Sequence, residues 1–221
     1  YGVLTTTSGD KYEGNWLHDQ YHGHGIYTFR DGCTYDGNWY RHKESGHGVL
    51  SCEDGFRYEG EWKLGKYNGQ GEMMLTSGGT YTGEFVMGRR HGKGVMSYTG
   101  GERYEGQWEE DEITGRGKFT EPGGIQYEGE WLRAQYHGQG VLTYSNGDAY
   151  QGEFIKGRKV GNGTYTYADG RLVSGEWKDG KFITISSRMC AWNDKGTCVE
   201  QVNILSLFSS LISFIRQRLQ L

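Results

Sequence analysis

The sequence predicts an all-β fold, an elongated and twisted antiparallel sheet of stacked 23-residue β-hairpins. Tyr-x-Gly-x-Trp/Phe recurs from Tyr12, Tyr35, Tyr58, Tyr81, Tyr104, Tyr127 and Tyr150 without an insertion, and ends degraded as Val173-Ser174-Gly175-Glu176-Trp177. Three more glycine columns keep the same period. One is a turn column running from Gly9 and Gly32 to Gly147 and Gly170; the others form a Gly-x-Gly pair running from Gly23/Gly25 to Gly161/Gly163. The chain also has 39 Gly and one Pro, with 14% aromatic but only 34% hydrophobic residues. That balance fits many tight turns over a thin aromatic core, and neither collagen nor a disordered linker. Unbroken self-similarity at a fixed period is the signature of a stacked array.

Within one unit, Gly25-Ile26-Tyr27-Thr28-Phe29 and Tyr35-Asp36-Gly37-Asn38-Trp39 alternate as short strands do. Arg30-Asp31-Gly32 between them is a hairpin signal, as are Glu53-Asp54-Gly55 and Ser145-Asn146-Gly147. Parity sets the loop length. A two-residue loop would put Tyr35 on the face of Thr28 and split the large side chains between two faces. A three-residue loop, with Gly32 left-handed in a bulge, pairs Tyr27 with Tyr35, Gly25 with Gly37 and Gly23 with Trp39, so all bulky residues share one face. A Trp ring is then expected to lie across the bare glycine opposite it. A lone hairpin is marginal in water, so stability must come from stacking. At about 4.8 Å per strand, eight units give a rod of roughly 75–80 Å.

Gly2 falls in the phase of the second glycine of the pair, so the first unit is expected to be truncated. The array is expected over 1–180, with a non-repeat tail over 181–221. In that tail Leu205, Phe208, Ile212, Ile215 and Leu219 fall at helical spacing, opposite Ser206, Ser209, Ser213, Gln217 and Gln220. This pattern predicts an amphipathic helix over 202–219 that caps the last hairpin, binds a partner or lies on a membrane. The longest uncharged apolar-rich run, Gln201 to Ile215, is short for a bilayer span.

Tyr58-Glu59-Gly60-Glu61-Trp62, followed by Gly69-Gln70-Gly71 and Gly78, resembles the MORN repeat (membrane occupation and recognition nexus), and the resemblance extends in register from residue 1 to about 180. Departures are Val173 in place of Tyr, Phe85 and Phe154 in place of Trp, and Cys52 or Glu121 at a bulky core position. The resemblance implies a twisted sheet of hairpins that is non-enzymatic by itself. It further implies a scaffold at membrane junctions, cilia and flagella, the cytokinesis machinery or cytoskeletal assemblies, hence a cytoplasmic chain near the cytoskeleton, a cilium or a membrane. The partners implied are proteins, engaged as a helix or an extended peptide. The alternatives are a peripheral module for anionic phospholipid, self-association into a homodimer, or a regulatory array of a larger enzyme.

A net charge of −4 gives no field that would gather nucleic acid. Outward positions form two acidic columns, Glu13, Asp36, Glu59, Glu105, Glu128 and Glu61, Glu84, Glu130, Glu153, Glu176. Because the same pair recurs along the array, a solvated face explains them better than a catalytic carboxylate pair, with Lys93, Arg103 and Arg116 supplying cross-strand neutralisation. His24 and His47 share a repeat phase about 10 Å apart, too far to ligate one zinc. Gly-x-Gly opens no helix and precedes no Lys-Ser/Thr, so it is structural. Cys33, Cys52, Cys190 and Cys198 show no paired spacing, which reads as a reducing compartment, with Cys52 as a small buried hydrophobe. No catalytic, cofactor-binding or metal residue is assigned. The candidate partner-binding residues are the rings Tyr58, Trp62, Tyr81, Phe85, Tyr104, Trp108, Tyr127 and Trp131, with Leu205, Phe208, Ile212 and Ile215 of the tail.

Overall fold

A computed structural model describes residues 1–185, 190–192 and 198–200. The tail helix expected over 202–219 lies outside the described residues, and with it Leu205, Phe208, Ile212 and Ile215. Seventeen strands, from Gly2–Thr5 to Lys181–Ile185, form one open sheet. Each runs antiparallel to the strand before and after it, an uninterrupted meander. Seven-residue strands such as Thr34–Tyr40 carry the Tyr-x-Gly-x-Trp motif and alternate with nine-residue strands such as Lys43–Ser51 that carry Gly-x-Gly. The sheet runs past residue 180, because Lys181–Ile185 pairs with the last motif strand and sets Phe182 opposite Trp177. Cys190–Trp192 and Cys198–Glu200 pair separately.

The expected register is present: Tyr27 faces Tyr35, Gly25 faces Gly37 and Gly23 faces Trp39. Phe29 N–H donates to the Cys33 carbonyl at 2.8 Å and Gly32 N–H to the Phe29 carbonyl at 3.0 Å. This closes a three-residue loop with Gly32 left-handed at φ 88°. At the other end of each hairpin is a two-residue turn with both residues at positive φ, as at Arg41 (49°) and His42 (64°) or Glu110 (48°) and Asp111 (72°). That is the type I′ geometry whose twist matches the strands. These turns are also tied to the strand that follows the preceding turn, since His42 N–H donates to Tyr21 O (3.2 Å) and Gly65 N–H to Glu44 O (3.0 Å).

The Gly-x-Gly row has a different cover from the one expected. Trp does not lie over the glycines; the motif Tyr does. A Cβ on Gly71 would lie 2.5 Å from Tyr58 Oη, and one on Gly60 would lie 2.5 Å from Gly71 Cα. Each motif Tyr crosses a glycine pair, and all but Tyr150 donate the hydroxyl to the carbonyl three residues on, as Tyr58 does to Glu61 O (2.9 Å). Trp39, Trp62, Trp108 and Trp131 instead reach back to the neighbouring strand, as Trp62 Nε1 does in donating to Gly48 O at 3.1 Å.

One acidic column also departs from a freely solvated face. A register shift after Gly60 and again after Gly83 leaves backbone N–H groups without a ladder partner. Glu61 accepts from Gln70 N–H (3.0 Å), Glu84 from Lys93 N–H (3.0 Å) and Glu130 from Gln139 N–H (3.1 Å). Arg103 meets Glu105 along its own strand, at 2.7 Å, and not across strands.

Cys33 and Cys52, read from the sequence as unpaired, form a disulfide. Thr34 faces Ser51, so the next positions out along the two strands bring the thiols together on the aromatic face. The pairing corrects the reading of Cys52 as a buried hydrophobe, and the cysteines no longer argue for a reducing compartment. Closing a loop of 19 residues stabilises the fold by about 2–3 kcal/mol. A reductant should therefore lower the melting temperature of the native chain by several degrees and leave a Cys33→Ser/Cys52→Ser variant unmoved. Equal melts with and without reductant would show that the bridge does not form.

Candidate functional site

The motif rings build an unbroken zipper on one face. Tyr35 stands edge-on between Trp39 (5.0 Å) and Trp62 of the next unit (5.0 Å). Tyr58 stands between Trp62 and Phe85, Tyr81 between Phe85 and Trp108, Tyr104 between Trp108 and Trp131, and Tyr127 between Trp131 and Phe154. Such edge-to-face pairs are favourable beyond the area they bury. Tyr58, Tyr81, Tyr104 and Tyr127 are wholly buried, and Trp62, Phe85, Trp108 and Trp131 nearly so. The rings expected to touch a partner are therefore the core, because each has a ring on both sides and a backbone beneath it.

The next column out on this face lies two residues before each Gly-x-Gly, at Tyr21, Glu44, Tyr67, Arg90, Ile113, Tyr136 and Lys159, and continues in phase at Phe182. Ile113 is buried and Phe182 exposed; the others are half-buried. Tyr21, Tyr67 and Tyr136 lie flat on Tyr12, Tyr58 and Tyr127 at 3.8, 4.0 and 3.8 Å. Arg90 sets its guanidinium 4.4 Å over the Trp108 ring and pairs with Asp111 at 3.0 Å. Lys159 Nζ sits 4.7 Å from the ring centres of both Tyr150 and Trp177, with Tyr144 and Tyr165 at 5.0 and 5.2 Å. Burial there pushes the Lys159 ammonium below its usual range. Burial likewise pushes the Glu44 carboxyl up, against a weaker opposing hydrogen bond from its own N–H. In the sequence the column is marked by its change from unit to unit beside the strict Tyr, Gly and Trp/Phe columns.

Midway along this face Tyr98, Ile113, Phe119, Trp131 and Tyr136 line a groove of about 420 Å³, rimmed by Ala134, Gln135, Lys156 and Gly157. The opposite face is different in kind. Its trough of about 630 Å³ runs along the glycine row between Glu105, Arg116, Lys118 and Glu128.

A family model described as MORN repeat matches residues 12–34, 35–57, 58–80, 81–103, 104–124, 127–149 and 150–170. No curated protein matches the chain. Among solved structures the chain is similar to the SAS-4 (dCPAP) TCP domain of Drosophila melanogaster in complex with a proline-rich motif of Ana2. The identity is 11% and the TM-score 0.41, over 69% of this chain and 78% of that one. It is also similar to the TCP10 domain of Danio rerio CPAP, at 13% identity and TM-score 0.28, over 84% of this chain and 99% of that one. At these scores the likeness carries no inference about what this chain binds.

Proposed function

The chain belongs to the MORN-repeat family, a repeat-type interaction module, and from that premise we propose that it is a non-catalytic scaffold holding a protein partner along its aromatic face. The observation that carries this is the division of labour on that face. Buried motif rings hold the sheet together, while a second column of half-buried Tyr and charged residues, with Ile113 buried among them, varies from unit to unit. Aromatic side chains around a groove, with scattered charge, are what protein-binding surfaces concentrate. Successive slots lie two strands apart, about 10 Å, which is the span of seven residues of a helix or three of an extended segment. The other face alternates Glu, Lys and Arg with single aliphatic residues such as Val141 over bare glycines, and no aromatic ring lines its trough among the described residues.

The test is a photo-crosslinking residue at Tyr98, on the rim of the aromatic groove, matched with one at Val141 on the opposite face; the two are 39% and 37% exposed. In cell extract the Tyr98 probe should capture a discrete protein set that the Val141 probe misses. Equal capture from both faces would remove the proposal, and lipid adducts alone would favour the phospholipid reading.

A further inference from the structure

The groove on the aromatic face and the apolar pattern of the tail agree in dimensions. The groove, about 420 Å³, is lined by Tyr98, Ile113, Phe119, Trp131 and Tyr136, of which Tyr98 is 39% exposed and Phe119 and Tyr136 are half-buried. It crosses the strands from the Lys156-Gly157 turn past Ala134 to Ile113, a run of two repeat units or about 20 Å. In the tail, Leu205, Ile212 and Leu219 are seven residues apart, as are Phe208 and Ile215. Seven helical residues rise about 10.5 Å, close to the spacing of about 10 Å between successive units. A helix laid along the array therefore sets an apolar residue against each unit in turn.

Charge gives the direction. Gln201 to Ile215 carries no charge, and Arg216 and Arg218 follow. From Leu205 these cations lie about 17–20 Å along a helix. A similar distance along the groove leads from Gly157 to the turn Glu109-Glu110-Asp111-Glu112, beside Ile113. Glu110 and Asp111 are taken by Arg89 and Arg90. Glu109 and Glu112 are exposed, and among the described residues no cation pairs with them. The turns Arg133-Ala134 and Lys156-Gly157 carry cations instead, so the reverse orientation would set like charges together. The chain is also long enough. Cys190 pairs with Glu200, which returns it to within about 5 Å, and the step from Ile185 to Cys190 spans up to about 17 Å. The strand that follows the Lys156-Gly157 turn lies two strands, about 10 Å, from the one that ends at Ile185.

We propose that residues 202–219 lie as a helix in this groove, with Leu205 toward Gly157, Ile212 over Tyr136, and Arg216 and Arg218 against Glu109 and Glu112. Burial of the apolar stripe against the groove rings supplies the affinity, and the ion pairs at the edge fix the orientation. The groove is the one that the scaffold reading gives to a partner, so a partner enters by displacing the tail. That displacement rests on the scaffold reading; the seating of the tail does not.

The test uses the full chain, purified as a monomer, with a photo-crosslinking residue at Tyr98 and the probe at Val141 as control. Mass spectrometry should find adducts of monomer mass that join Tyr98 to residues 205–219, and none from Val141. Arg216→Glu/Arg218→Glu should lower the Tyr98 yield about fivefold, and adding Glu109→Arg/Glu112→Arg should restore it. The exchanged carboxylates are exposed at a turn, so the sheet keeps its fold. No tail adduct at Tyr98, equal adducts from both faces, adducts only at dimer mass, or a yield indifferent to the charges would each overturn the proposal. A tail adduct in a chain that captures nothing from cell extract would support the seating and count against the scaffold. Capture of an outside protein at Tyr98 without a tail adduct would overturn the seating alone.

Discussion

Replacing Gly60 by Val should destabilise the array by about 3 kcal/mol or more, whereas Glu59→Ala, one residue away, should change it by less than about 0.5 kcal/mol. The difference comes from which face each side chain takes. A Cβ at Gly60 would meet Gly71 Cα at 2.5 Å, Gln70 O at 2.6 Å and Tyr58 Oη at 2.7 Å. Two of these are backbone atoms of the next strand and the third is the ring that covers both glycines, so nothing flexible can give way. Glu59 points to the opposite face and pairs with Arg57 of its own strand, an exposed contact worth little. Thermal melts of the two variants decide it; equal losses would mean that the faces have been assigned the wrong way round.

The second large effect is alkaline unfolding. Burial pushes the phenols of Tyr81, Tyr127 and Tyr150 up to about 12, and those of Tyr35, Tyr58 and Tyr104 upward for the same reason. An exposed tyrosine in the unfolded chain ionises near 10. Because the folded values are raised, the stability from keeping these rings neutral is complete below about pH 10 and is lost as pH climbs toward 12. Each ring then gives up about 1.4 kcal/mol per pH unit in that window, and several do so together. Phenolate absorbance and far-ultraviolet circular dichroism should therefore change in one cooperative step between about pH 10 and 12. Tyrosines that ionise near pH 10 while the sheet signal stays intact would contradict the buried zipper.

Much of this architecture is legible in the residues because two simple rules leave little choice. Period-two alternation with a left-handed Gly32 admits one register that keeps Tyr27, Tyr35 and Trp39 on one face, and that register is found. Alternation fixes the face of a side chain and says nothing of its rotamer, so it could not tell that Tyr and not Trp would lie over the glycines. The two-residue turns are hard to read because only four of the eight, such as Leu64-Gly65, carry a glycine, while others such as Arg41-His42 and Arg133-Ala134 reach positive φ without one. The Cys33–Cys52 bridge becomes visible only once Thr34 is known to face Ser51, since a spacing of 19 has no meaning in the linear chain. At the candidate site the sequence pointed to the recurring rings, and recurrence marks what the fold needs. On the proposed reading of this face, the residues that meet a partner are ones that change between units, Glu44, Arg90 and Lys159 among them.

The zipper, the ordered slots and their spacing of about 10 Å all require an open, one-dimensional array, and small-angle scattering of the monomer tests this most directly. Seventeen strands at about 4.8 Å each predict a maximum dimension of roughly 80 Å and a radius of gyration near 25 Å. A maximum near 50 Å with a radius of gyration of about 17 Å, the values of a compact chain of this length, would contradict it.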